Sequence, residues 1–180
     1  MREEQSAYKG RSGGQNIAGQ DSGTTVSDRE GKYLTFELAN EIYGLEILKV
    51  REIIGMLDIT PVPQTPKFVK GLINLRGKVI PVVDLRLKFG LPEKEYTERT
   101  AIIVVDIRAP SGLVQMGIVV DSVSEVMNIS GTDIEDTPNF GTDLKTDYIF
   151  GLAKAKGRVI ILLDIDIVLT DEKLTLAGGE

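Results

Sequence analysis

Phe68-Val69-Lys70-Gly71-Leu72-Ile73-Asn74-Leu75-Arg76-Gly77-Lys78-Val79-Ile80-Pro81-Val82-Val83-Asp84-Leu85 returns 80 positions later as Tyr148-Ile149-Phe150-Gly151-Leu152-Ala153-Lys154-Ala155-Lys156-Gly157-Arg158-Val159-Ile160-Ile161-Leu162-Leu163-Asp164-Ile165. Gly71/Gly151, Leu72/Leu152, Gly77/Gly157, Val79/Val159, Ile80/Ile160 and Asp84/Asp164 are identical, six of 18 positions. Composition alone gives about one or two. Upstream, Gly44–Ile53 matches Gly117–Val126 at an offset of 73, with Gly44/Gly117, Val50/Val123 and Glu52/Glu125 identical. Strands rich in Val and Ile always resemble one another, but here Gly, Glu and Asp match outside the aliphatic positions. The two blocks are collinear, and the seven extra residues of the second copy fall in the polar stretch 130–147. The chain is a duplication.

Each copy has the marks of a β-module. Tyr33–Leu38 alternates, placing Leu34, Phe36 and Leu38 on one face, and Asn40-Glu41 can turn the chain into an antiparallel partner over 42–47. Ile47, Val50 and Ile53-Ile54 fall at helical spacing, which predicts a short helix of about two turns at most. Pro61–Pro66 reads as a stiff extended loop. Strands are expected at 69–75, 79–84, 100–107, 113–120, 149–155 and 159–164, and a short helix over 165–176. Pro81 cannot donate to a ladder, so its strand requires a free side or a bulge there. Asp84 and Asp164 are placed to N-cap the segments that follow them.

The expected fold is therefore all-β. Modules of about 65–75 residues bury only ~60% of their unfolded surface and are marginal alone. Two small barrels packed together fit better than one large sheet, each copy closing its own edges. Residues 1–31 are rich in Gly, Ser, Gln and charge, and read as a disordered tail. Residues 32–176 form the two-barrel domain, with a subdomain boundary near 85–100 across which strands can pass, and 177–180 form a disordered end.

The composition of the 180 residues excludes much chemistry. There are 21 Lys+Arg against 27 Asp+Glu, a net charge of −6, and neither His nor Cys. Imidazole acid–base catalysis, thiolate chemistry, disulfides and Cys/His metal sites are all ruled out. An acidic balance, with a pI of about 4.9, argues against nucleic-acid binding. No apolar run approaches the ~18–20 residues that span a bilayer, and no secretory signal opens the chain. A cytoplasmic location follows as the default, with no direct membrane insertion.

Apparent catalytic motifs dissolve on inspection. Gly71–Val79 resembles a phosphate-binding loop, but five residues separate its glycines and Val79 stands where the Ser/Thr belongs. Ser6-Ala7-Tyr8-Lys9 lies in the tail, where nothing preorganises it. Asp133, Glu135, Asp136 and Asp143 miss the spacing of a calcium loop. No catalytic constellation, cofactor site or metal site emerges. What recurs instead is a turn, Arg76-Gly77 and Lys156-Gly157, with Gly supplying positive φ. Glu52 and Glu125 recur as well, each flanked by aliphatics. Glu52 is expected to pair with Arg76.

Phe36-x-Leu38, Tyr43-Gly44-x-x-Ile47-x-x-Val50-x-Glu52-Ile53, Val62-Pro63 and above all Gly71–Leu85 resemble the CheW family of bacterial chemotaxis coupling proteins. The likeness continues through Gly117–Val123 and Tyr148–Leu152 and covers about 33–176. It implies two SH3-like five-stranded barrels with short helices. It also implies a non-catalytic adaptor joining the cytoplasmic tip of chemoreceptors to the regulatory domain of the histidine kinase CheA. Carried over by position, the partner-binding residues are Val50, Glu52, Gly71, Asn74, Arg76 and Gly77. The second copy has Lys154-Ala155-Lys156 in place of Asn74-Leu75-Arg76, which suggests that the two modules face different partners.

Two other classes compete. A small barrel binding single-stranded nucleic acid would need a basic groove and stacking aromatics, but the chain offers 5 Tyr, 5 Phe and no Trp on an acidic background. An enzyme using Lys or Asp would show a deep pocket of converging ionisable groups.

Overall fold

The computed structural model describes residues 26–138 and 146–170. In chain order the strands are β1 (Gly31–Leu38), β2 (Glu41–Glu46), β3 (Val50–Gly55), β4 (Val69–Leu75) and β5 (Lys78–Asp84). After helix α1 (Leu85–Lys88) come β6 (Ala101–Ala109), β7 (Gly112–Val120), β8 (Ser122–Ile129) and β9 (Ile134–Glu135). β10 (Ile149–Ala155), β11 (Arg158–Leu163) and helix α2 (Ile165–Thr170) complete the fold.

These strands form two sheets of matching design. One runs β3-β6-β7-β5-β4 and is called here the first barrel; the other, the second barrel, runs β8-β1-β2-β11-β10-β9. Replacing each strand by its repeat counterpart converts one order into the other. Each barrel closes at the same place. Thr60 and Leu72 exchange two backbone hydrogen bonds of 2.8 Å in the first, and Glu135 pairs with Leu152, the repeat partner of Leu72, in the second. The closed, all-β, two-barrel fold expected from the duplication is what the chain adopts.

The copies do not close on themselves. β1 and β2 of the first copy lie in the second barrel beside β8, β10 and β11, while β6 and β7 of the second copy lie in the first barrel. The crossing occurs at parallel pairs, β5 with β7 (Val82↔Gly117) and β11 with β2 (Leu162↔Gly44). This interleaving corrects the expectation that each copy seals its own edges. Packing accommodates it: the crossing strands β1, β6 and β7 bury both faces, one inside a barrel and the other between barrels, as β11 does too.

β1 shows this directly. Leu34, Phe36 and Leu38 face the interbarrel core as expected, but Tyr33 and Thr35 are buried as well, inside the second barrel. The interbarrel cluster also gathers Leu45, Ile103, Val105, Ile107, Ile118, Val120, Leu85, Leu163, Ile165 and Val168. Inside the first barrel lie Ile73, Ile80 and Val82; their repeat partners Ala153, Ile160 and Leu162 fill the second. Each fully buried aliphatic contributes roughly 1.5–3 kcal/mol. The largest cluster is shared by both barrels.

Local details follow the chain chemistry. Ile47, Val50 and Ile53-Ile54 do not form a helix: only Ile47–Lys49 makes a single 3-10 turn, and β3 begins at Val50. β-branched residues prefer the strand, and pairing with β6 settles it. Pro81 pairs with Leu72 of β4, and the parallel pairing to β7 starts only at Val82, so its nitrogen faces no ladder partner. In the second copy Ile161 pairs with Tyr43 at the equivalent place. Asp84 caps α1 through the amides of Arg86 (3.0 Å) and Leu87 (3.4 Å), and Asp164 caps α2 through the amide of Ile167 (3.2 Å). Structure begins earlier than expected, because Val26–Arg29 form a 3-10 turn and Gly31 opens β1. Residues 1–25, the continuation of α2 to residue 176 and the end at 177–180 lie outside the described residues.

Candidate functional site

Leu75 pairs with Lys78 across a two-residue turn in which Arg76 and Gly77 both take positive φ, +50° and +83°. This is the type I′ geometry that suits the right-handed twist of a hairpin. The Asn74 side chain accepts the Gly77 amide at 2.8 Å and fixes the turn. From it the Arg76 guanidinium reaches across the barrel seam to β3 and donates to both Glu52 carboxylate oxygens, one of them at 2.9 Å. The expected pair is formed, with both groups at the surface.

The second barrel builds the same device. Lys156 and Gly157 take φ of +53° and +72°, and Lys156 Nζ donates to Glu125 Oε1 at 2.5 Å. Glu125 and Lys156 are the repeat partners of Glu52 and Arg76. β3 and β4 in the first barrel, and β8 and β10 in the second, share no backbone ladder, and a carboxylate–cation pair bridges each seam at the turn end. Where Asn74 braces its turn, Lys154 instead pairs with Glu135 at 2.6 Å.

Exposed aliphatics lie close in sequence to the members of both pairs, and they repeat too. Ile53 and Val79 are 45% and 61% exposed; their counterparts Val126 and Val159 are 50% and 53% exposed. Strand residues of this kind are normally covered. Singly they need no explanation, but four at symmetry-related places do. Leu48, 89% exposed on the 3-10 turn between the barrels, has no such counterpart.

Electrostatics agree with the geometry. The Arg76 guanidinium holds the Glu52 carboxyl below its ordinary range by direct hydrogen bonding, and Glu52 in turn raises Arg76. Glu135 raises Lys154 in the same way. Behind the turns, Glu46 is pushed up by burial, with Lys49 opposing the shift.

The residues singled out from the sequence divide into two groups. Glu52, Asn74, Arg76 and Gly77 meet at one turn. Val50 and Gly71 do not join them at the surface. Val50 packs on the interbarrel core, and a Cβ on Gly71 would sit 2.0 Å from the Thr60 carbonyl oxygen, so Gly71 makes room for barrel closure. Sequence reasoning missed the Glu125–Lys156 pair and the four exposed aliphatics. The signal was present, since all but Ile53/Val126 and Arg76/Lys156 are identical between copies.

Two joined barrels that repeat one surface design define a β-rich scaffold. Residues 32–173 match the CheW-like domain family model. The chain is 41% identical over 158 residues to the chemotaxis protein CheW of Klebsiella aerogenes, covering 88% of this chain and 91% of that protein. It is 34% identical over 160 residues to CheW of Thermotoga maritima, covering 86% and 98%. Its fold is similar to the crystal structure of the scaffolding protein TtCheW from Thermoanaerobacter tengcongensis, with a TM-score of 0.69 and 37% identity over 77% of this chain and 92% of that one. The chain belongs to the CheW-like domain family, and its function is that of a chemotaxis coupling scaffold.

Proposed function

We propose that this chain is a non-catalytic cytoplasmic adaptor that holds the histidine kinase CheA, through its regulatory domain, against the cytoplasmic tip of chemoreceptors. The observation that carries this reading is the repetition of one surface design, Glu52–Arg76 with Ile53 and Val79, as Glu125–Lys156 with Val126 and Val159. An adaptor needs at least two faces, and a duplicated fold supplies them in fixed relation because the interbarrel core joins them. The differences between the faces, Arg against Lys and Asn74 against Lys154, suit different partners. Val50, Glu52, Gly71, Asn74, Arg76 and Gly77 act in docking as two sets. Glu52, Asn74, Arg76 and Gly77 form the contact surface, while Val50 and Gly71 hold its supporting strands in place. Exposed aliphatics together with exposed charge pairs favour modest, exchangeable contacts over permanent ones.

Titrating a fluorescently labelled CheA regulatory domain with this protein, followed by anisotropy, tests the kinase contact. Saturable binding that weakens in Arg76→Ala is expected; equal binding by Arg76→Ala would remove the first face from the account.

A further inference from the structure

Ahead of the family-matched residues, Val26–Arg29 with Glu30 lie across the second barrel at the point where it closes. Arg29 is 6% exposed. Its guanidinium donates to the Phe150 carbonyl at 3.3 Å on β10 and pairs with Asp136 at 2.8 Å, just after β9. Its carbonyl accepts the Tyr33 hydroxyl from β1. Glu30 accepts the Gly131 amide at 3.2 Å, at the turn that leads into β9. The segment thus touches β1, β9, β10 and the turn before β9.

Closure of this barrel rests on few backbone pairs. β9 is two residues long and pairs with β10 only at Ile134↔Ala153 and Glu135↔Leu152. The strap covers that short pairing, and Gly151 leaves room for both sides of it: a Cβ there would meet Ile134 Cγ2 of β9 at 2.8 Å and the Arg29 guanidinium at 3.3 Å. The strap is itself incompletely satisfied. Arg29 Nε is buried with no hydrogen-bond partner among the described residues, and Asp136 is 86% exposed, so water competes for the ion pair. A buried cation with an unsatisfied donor and a solvated counter-ion is a contact that can release. The first barrel closes at the equivalent place on the single Thr60–Leu72 bridge, whose two hydrogen bonds are 2.8 Å.

We propose that residues 26–30 are a releasable strap, keyed by Arg29, that controls local opening of the second barrel at β9. When it lifts, β9 leaves the edge of β10 and the backbone at 152–153 becomes available beside the Lys154–Glu135 pair. The proposal stands apart from the identity of the docking partners.

Hydrogen–deuterium exchange on the full chain tests it. In Arg29→Met, peptides covering 131–136 and 150–155 are expected to exchange at least tenfold faster, while those covering 58–61 and 70–75 keep their protection. Tyr33→Phe, which removes only the hydroxyl held by the Arg29 carbonyl, is expected to give the same local pattern more weakly. It carries the test if Arg29→Met fails to fold. Unchanged exchange around β9, or equal acceleration in both barrels, would overturn the proposal.

Discussion

Lys156 Nζ stands 2.5 Å from Glu125 Oε1, at the place where Arg76 holds Glu52 in the other barrel. A bidentate guanidinium and a single-point ammonium thus occupy equivalent turns. Arg fixes the plane of its carboxylate, whereas Lys leaves it free to rotate. Exposed pairs of this type add little to stability. Their repetition beside exposed aliphatics points to recognition.

Arg76→Ala and Glu52→Ala are therefore expected to leave the thermal midpoint nearly unchanged while reducing kinase capture. The exchanged double variant Glu52→Arg/Arg76→Glu should restore more capture than either single reversal. Thermal melts and pull-down with the regulatory domain check this together. A large drop in midpoint with Arg76→Ala would instead make the pair structural.

Gly71→Ala and Gly77→Ala separate closure from turn. At Gly71 a Cβ would meet the Thr60 carbonyl oxygen at 2.0 Å, on a backbone with φ of +139°. The expected loss is about 2–4 kcal/mol. At Gly77 there is nothing within 4 Å, only φ of +83°, and about 1 kcal/mol is expected. Urea unfolding of both variants tests the order.

How much of this was legible beforehand depended on how local each feature was. The β-class, most strands, the capping aspartates and the Glu52–Arg76 pair could be read because repeated positions reveal which residues a fold reuses. That strands could pass between the modules was expected, but which ones do so could not be read, because β1 and β6 have equal claims to either barrel. β3 was misread because the four aliphatics at 47, 50, 53 and 54 also fall at helical spacing. Arg29 gave no signal at all, since its burial depends on Phe150 and Asp136, more than 100 residues away.

Asp84 is expected to matter more than its counterpart. It is 3% exposed, caps two amides of α1 and also accepts the Tyr96 hydroxyl at 3.1 Å, whereas Asp164 accepts the Ile167 amide at 3.2 Å. Asp84→Ala should cost about 2 kcal/mol and Asp164→Ala about 1 kcal/mol or less, by chemical denaturation.

Glu46 supplies a pH signature. Burial raises its carboxyl above the ordinary 4.5, so the charged form is disfavoured in the folded state. That cost is present above the folded value and disappears as pH falls below 4.5. Glu46→Gln is therefore expected to stabilise the protein at neutral pH, with the gain vanishing in acid. Glu52 runs oppositely. Its lowered carboxyl contributes above the ordinary value and loses that contribution as pH falls through the folded one. Melting curves from pH 7 down to about pH 3 would show the two trends.

Co-sedimentation of CheA with chemoreceptor-containing membranes tests the central claim most directly. The account predicts that the kinase pellets with the membranes only when this protein is present. It also predicts that retention falls when either Glu52–Arg76 or Glu125–Lys156 is reversed in charge. Kinase retention that is the same with and without the protein, or failure of the protein to pellet under any condition, would contradict it.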